Sequence, residues 1–145
     1  MRLESLEIVN FRGISRLNLT LEPGTTVLFG ENAWGKTSMV EALSSVLGSR
    51  PLTEADFHRL QLGKAPIARR LAITLQFGGT PFPELEAAGW RDGEGRFHVR
   101  LAVLGRRMQR GRARFERRFL DAEGRDLRLP GADASLLAER LVRAH

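Results

Sequence analysis

The chain predicts an α/β fold: a mixed β-sheet around one central helix, with additional antiparallel strands. Three observations predict it. Leu71, Ile73, Leu75 and Phe77 alternate with Ala72, Thr74 and Gln76, the period of a half-buried strand. Thr25-Thr26-Val27-Leu28-Phe29 is a short continuous run of β-formers, which suits a central strand buried on both faces. After it the period changes: Met39, Val40, Leu43, Val46 and Leu47 fall at helical spacing, and Gly48 is a natural stop.

The elements follow in order. Leu3–Phe11 reads as a first strand, and Gly13 and Ser15 mark a turn. Leu17, Leu19 and Leu21 alternate with Asn18 and Thr20 on a second strand. Pro23-Gly24 is a turn signal before the strand at 25–29, which leads through a loop at 30–35 into a helix over 36–47. Pro51 to Ala65 reads as loop or short helix. Gly78 to Gly95 is rich in Gly and Pro and reads as irregular. Phe97, Val99, Leu101 and Val103 alternate on a further strand. Arg114–Leu120 and Asp126–Leu129 are read as a hairpin around Glu123-Gly124, and Ala134–Ala144 as a helix.

The 145 residues suit one domain with one core. No apolar run approaches 18 residues, so no transmembrane helix and no membrane role is expected. The start of the chain lacks the layout of a signal peptide, and there are no cysteines for disulfides, thiolate metal sites or thiol nucleophiles. An intracellular, cytoplasmic protein is expected. The net charge is +6, and it is concentrated: residues 106–118 hold seven arginines and Glu116. Lys36 and Lys64 are the only lysines beside 21 arginines, so a lysine kept at position 36 is telling.

Gly30-Glu31-Asn32-Ala33-Trp34-Gly35-Lys36-Thr37 fits G-x-x-x-x-G-K-[ST] in full. Gly30 and Gly35 admit backbone conformations that a Cβ forbids, so successive N–H groups point inward as an anion nest. The helix that follows offers a partially positive N-terminus. Lys36 is the candidate catalytic residue, reaching the β- and γ-phosphates, and the Thr37 hydroxyl is the candidate Mg²⁺ ligand. Ser38 adds an α-phosphate contact, and Asn32 braces the loop or approaches the phosphates. Ala33 and Trp34 complete the candidate nucleotide contacts; the plainer reading of Trp34 is a packing or exposed loop residue, the sharper one a contact to the nucleotide or a partner subunit. ATP and Mg²⁺ are the expected cofactors. A hydrolysing site also needs an acidic residue after an apolar strand. No four apolar residues followed by Asp-Glu occur here, and no Ser-Gly-Gly signature. The chain reads as able to bind a nucleotide but not to complete a hydrolytic site.

The layout before the motif, with Asn10-Phe11-Arg12-Gly13 between two strands, resembles the RecF/SMC/Rad50-like branch of ABC-type ATPases. Within that branch the eight-residue loop looks most like the class 2 OLD-family ATP-dependent endonucleases, strongly over about 45 N-terminal residues and loosely afterwards, as at Thr53-Glu54-Ala55-Asp56-Phe57-His58. The resemblance implies a P-loop NTPase, ABC ATPase-like N-terminal lobe. It implies that Arg12 lies near the nucleotide and that Gly30–Ser38 wrap its phosphates. It also implies that two heads close on ATP, as a homodimer, to regulate DNA cleavage by a separate nuclease domain. The family's signature motif, Walker B acid and nuclease domain have no match here, so residues 1–145 are expected to be part of a longer protein. Gln76 and Gln109 are weak candidates for its Q-loop glutamine.

Other features are weighed against plainer readings. Arg106, Arg107, Arg110, Arg112 and Arg114 form a candidate DNA-contacting strip, with salt-dependent, sequence-independent phosphate contacts. The plainer reading is a solvated hairpin, with Phe115 and Phe119 facing the core. His58, His98 and His145 have no metal-ligand spacing and read as structural or exposed. Asp92 and Glu94 read as a polar turn, and Asp56 as loop or a partner contact. Rival functions are a RecF- or SMC-like repair ATPase without nuclease chemistry, a small stand-alone kinase, and a DNA-binding module indifferent to ATP.

Overall fold

The computed structural model describes residues 1–22, 41–47, 51–58 and 67–143. Its strands are β1 (Arg2–Phe11), β2 (Ile14–Thr20), β3 (Arg70–Gly78), β4 (Gly89–Arg91), β5 (Phe97–Arg107) and β6 (Ala113–Leu120). Its helices are α1, seen over 41–46, and α2 (Gly131–Arg143). The sheet runs β2-β1-β3-β5, and the far edge of β5 is shared by β4 and β6. β4 pairs with the start of β5, and β6 pairs with the rest of it from Arg100 to Arg107. Every strand pair among the described residues is antiparallel. The strand expected at 25–29, which would make the sheet mixed, lies outside the described residues.

The period-2 patterns place the core. Ile8 pairs with Ile73 and Ile73 with Val103, while Leu6 pairs with Leu75 and Leu75 with Leu101. These side chains share one face and are buried. Ala42 and Val46 of α1 join the same core. So do Ala134, Leu137, Ala138 and Leu141 of α2, the i, i+3, i+4, i+7 stripe of an amphipathic helix. Arg140 of α2 pairs with Glu84 at 3.0 Å and stacks over Phe82, tying the helix to the segment around residues 82–84.

Two expectations need correction. The segment Gly78–Gly95 is not irregular: Pro83–Ala88 form a 3-10 helix and Gly89–Arg91 form β4. Pro83 starts that helix at its first turn, where a missing N–H costs nothing, and it buries Leu85 and Ala88. The hairpin expected from Arg114–Leu120 and Asp126–Leu129 is a single bridge, Leu120 to Asp126. β6 pairs instead with β5, where Leu101 meets Phe119 and the apolar alternation matches.

The opposite face of the sheet carries polar side chains. His98 lies between two carboxylates, with Nδ1 2.7 Å from Glu4 Oε1 and Nε2 2.8 Å from Asp92 Oδ2. Gln76 donates to the same Glu4 oxygen at 3.2 Å and accepts from Arg100 at 2.6 Å. Both imidazole nitrogens face acceptors, so both bonds are made only when the ring carries two protons. Burial opposes that charge, but the bonds to Asp92 and Glu4 outweigh it and raise the His98 pKa above its ordinary 6.5. The bonds from His98 and from the Arg96 N–H lower the Asp92 carboxyl to about 2. The group that is raised stabilises the fold fully below pH 6.5, and that contribution is lost as pH rises through its folded value. The lowered Asp92 contributes above its ordinary 3.8 and is lost as pH falls toward 2. A His98→Gln protein is expected to be about 1.5 kcal/mol less stable near pH 6, with the deficit shrinking in alkaline buffer. Denaturant titrations across that range check it, and a deficit independent of pH would contradict the charged-ring reading.

Candidate functional site

The turn between β1 and β2 is the first candidate site. Asn10 and Arg12 sit in the left-handed region, at φ 57° and 50°. An arginine there costs about 1 kcal/mol that a glycine would not. The segment 53–58 holds the turn in place. Arg12 N–H donates to the Asp56 carbonyl at 2.8 Å, and His58 N–H donates to the Asn10 carbonyl at 3.0 Å. His58 Nδ1 also meets the Arg12 carbonyl, and Phe11 bridges to Phe57.

Asp56 is the centre of this arrangement, with no solvent exposure. Its Oδ2 accepts the Thr53 N–H at 2.9 Å, closing a 3-10 turn at Glu54–Asp56, and its Oδ1 accepts Arg12 Nε at 2.9 Å. The guanidinium then reaches across to α1, where Arg12 Nη1 lies 2.9 Å from Glu41 Oε2. Arg12 therefore joins the turn, the 53–58 segment and α1. Asp56 is neither plain loop nor a surface contact for a partner, because the Arg12 pair and the Thr53 bond fill its place in the interior. The Thr53-x-x-Asp56 spacing was the sequence signal for that capping role. Gly30, Asn32, Ala33, Trp34, Gly35, Lys36, Thr37 and Ser38 lie outside the described residues. In sequence, Thr37 precedes Glu41 by four positions.

The second candidate site is the tip of the β5–β6 hairpin. Arg106 and Arg107 end β5, Arg110 and Arg112 lie in the turn at the tip, and Arg114 is on β6. The structure adds two arginines that linear reading missed. Arg70 pairs with Arg106 across β3 and β5, and Arg107 N–H donates to the Arg69 carbonyl at 2.8 Å. The seven arginines line an open cavity of about 1030 Å³. Arg118 pairs with Glu116 and Asp126, but among the described residues none of the seven has a carboxylate partner. Among the described residues, Arg107 Nε is shielded from solvent without a hydrogen-bond partner. At the tip, Arg110 and Gly111 take successive left-handed conformations, φ 66° and 73°. Gly111 does so freely, whereas Arg110 brings charge to the tip at a conformational cost. Phe119 faces the core as expected, and Phe115 packs against it half-buried. Phe115 also meets Phe57 at 5.8 Å between ring centroids, so the hairpin touches the segment that holds Arg12.

Neither glutamine considered for the Q-loop adjoins Arg12. Gln76 belongs to the His98 network, toward the far end of β3, and Gln109 lies at the hairpin tip. Among the described residues no cluster of His, Asp and Glu is arranged to hold a metal ion. His145 lies outside them. No described helix is long and apolar enough to cross a membrane.

Comparison with known proteins then places the chain. The family model described as "Protein of unknown function (DUF2813)" matches residues 1–145. The chain belongs to this family. The DNA replication and repair protein RecF of Arthrobacter sp. (strain FB24) is 37% identical to this DUF2813 chain over 109 residues, 73% of the chain and 26% of that protein. The Escherichia coli (strain K12) protein described as "Uncharacterized protein YbjD" is 60% identical over 47 residues, 32% of the chain and 8% of that protein. The chain thus spans about a quarter or less of these relatives. A solved structure from work on ATP-driven dimerization and DNA-stimulated activation of SMC ATPases superposes with a TM-score of 0.60 at 16% identity, covering 97% of the DUF2813 chain and 80% of that chain. The chain shares the fold of that SMC ATPase structure.

Proposed function

We propose that residues 1–145 are the nucleotide-binding part of an ATP-driven DNA-processing ATPase. Mg-ATP sits on Gly30–Ser38, with Lys36 on its outer phosphates and Thr37 on the metal. Arg12 faces the same phosphates, and the arginines of the β5–β6 hairpin take the phosphate backbone of DNA. One observation carries this reading: Arg12 is held against α1, in a chain whose sequence bears a complete P-loop motif just before that helix. A partly exposed guanidinium fixed from below by a buried carboxylate is chemically suited to a phosphate oxygen. Titration of Mg-ATP into wild-type and Lys36→Ala protein tests it. The substitution is expected to weaken binding at least tenfold, roughly the loss of one charge-assisted contact. Equal affinity in the two proteins would sink the reading.

For the parent protein we favour an OLD-type ATPase–endonuclease, in the cytoplasm, whose two heads close on ATP to govern DNA cleavage by a separate nuclease domain. The likeness of Gly30–Thr37 to that family supports it. A RecF-like repair ATPase without nuclease chemistry is the second reading, favoured by the RecF relative's 37% identity across 73% of the chain. Metal-dependent nicking of DNA by the native full-length polypeptide separates the two. Cleavage supports the first, and its absence with retained ATP binding supports the second.

A further inference from the structure

Arg12 has two carboxylate partners, and the structure treats them differently. Asp56 has no solvent exposure, and its second oxygen is committed to the Thr53 N–H at 2.9 Å. Its segment is bound to the turn by the Arg12–Asp56 and His58–Asn10 backbone bonds. Moving Asp56 would mean dismantling that junction. Glu41 is 27% exposed and approaches a single guanidinium nitrogen. Its Oε2 is shielded from solvent, yet it makes no hydrogen bond of acceptable geometry among the described residues. The Asp56 pair is thus an oriented hydrogen-bonded contact, and the Glu41 pair is a charge contact without good alignment.

We infer that Glu41 is a placeholder for a phosphate group on Arg12, and that Asp56 is the positioning residue that keeps Arg12 ready for the exchange. This rests on the nucleotide reading above. A guanidinium has five N–H donors, and Asp56 uses the one on Nε. With Nε held by Asp56, Nη1 faces Glu41 on α1. A phosphate arriving there competes with Glu41 for the same face of Arg12 and meets its negative charge. Before binding, Glu41 is a second carboxylate on a guanidinium that Asp56 already pairs, and it occupies the Nη1 side. On binding, its carboxylate gives way to a more highly charged anion and turns to the solvent it already touches. Glu41 then acts as a brake on affinity, and Asp56 as the support that makes Arg12 usable.

The test is a set of Mg-ATP affinities measured by calorimetry on the native full-length polypeptide, with each variant made alone and with Arg12→Ala. Glu41→Gln removes the competing charge while keeping the shape, and is expected to tighten Mg-ATP binding about three- to tenfold. Asp56→Asn loosens the guanidinium and is expected to weaken binding by a similar factor. Both effects should vanish when Arg12 is already alanine, which a merely structural role for either residue would not produce. Unchanged or weaker binding in Glu41→Gln overturns the placeholder role, as does a gain that persists without Arg12. Because Asp56→Asn risks unfolding, Glu41→Gln with its Arg12→Ala partner carries the decision alone. Wild-type protein that fails to bind Mg-ATP at all overturns the nucleotide reading itself. Binding that needs Lys36 but ignores Glu41 overturns only this inference.

Discussion

Replacing Arg106, Arg110, Arg112 and Arg114 together with glutamine is expected to weaken duplex DNA binding about a hundredfold near 100 mM salt. The logarithmic salt dependence should flatten by about 3 to 4 units, the number expected if each side chain displaces one counterion from DNA. All four are exposed and, among the described residues, without carboxylate partners, so the fold should tolerate their loss. Duplexes of unrelated sequence should be affected alike, because phosphate contacts carry no base information. Arg110→Gly is an instructive companion. It supplies the residue that the left-handed tip prefers, so stability should hold or rise slightly while DNA affinity falls. Fluorescence anisotropy over a series of salt concentrations measures both. An unchanged affinity and slope in the fourfold variant would leave the hairpin a solvated surface.

Arg12→Ala is expected to cost about 3 kcal/mol of folding stability, roughly a 10 °C fall in melting temperature for a chain of this length. The reason lies in the partner left behind. Asp56 has no exposure, and removing the guanidinium deprives its carboxylate of the charge beside it. The Thr53 N–H still donates to it, which keeps the loss at the lower end of the range for broken buried pairs. Arg12→Gly should recover about 1 kcal/mol relative to alanine, because glycine accepts a φ of 50° without strain. Denaturant unfolding of the three proteins at one pH decides the matter. A deficit below 1 kcal/mol for Arg12→Ala would show that Asp56 does not depend on this pair.

The strands were legible where one face meets the core and the other meets water. β1, β2, β3 and β5 all show the period-2 pattern, and their registers place the apolar set on one side. Gly78–Gly95 was harder because its order comes from tertiary contacts. Leu85 and Ala88 are buried in the same core cluster as the sheet and α2, whereas Pro and Gly composition speaks only of local preference. The partner of β6 was misread for a related reason. A turn signal at Glu123-Gly124 is local, whereas pairing with β5 across the tip buries Phe119 and half-buries Phe115. Among candidate site residues, Arg12 was named through the family resemblance of Asn10-Phe11-Arg12-Gly13, but the buried role of Asp56 depends on segments 44 residues apart. Arg69 and Arg70 were invisible for the same reason, since only the β3–β5 register brings them beside Arg106 and Arg107.

The strand order also implies an order of assembly. β5 and β6 form a hairpin, and β3 pairs with β5 across the short segment that holds the 3-10 helix and β4, so the three can zip together with little loop entropy. β1 and β2 form a second hairpin, which must find β3 across an excursion over residues 12–69. Docking of the two hairpins is then the expected late step of folding, and the Phe57–Phe115 contact ties the arrangement of Arg12, Asp56 and Glu41 to it. Interactions formed after the rate-limiting barrier slow unfolding without hastening folding. A ligand that grips Arg12 would therefore lengthen the lifetime of the folded state and leave the rate of reaching it unchanged.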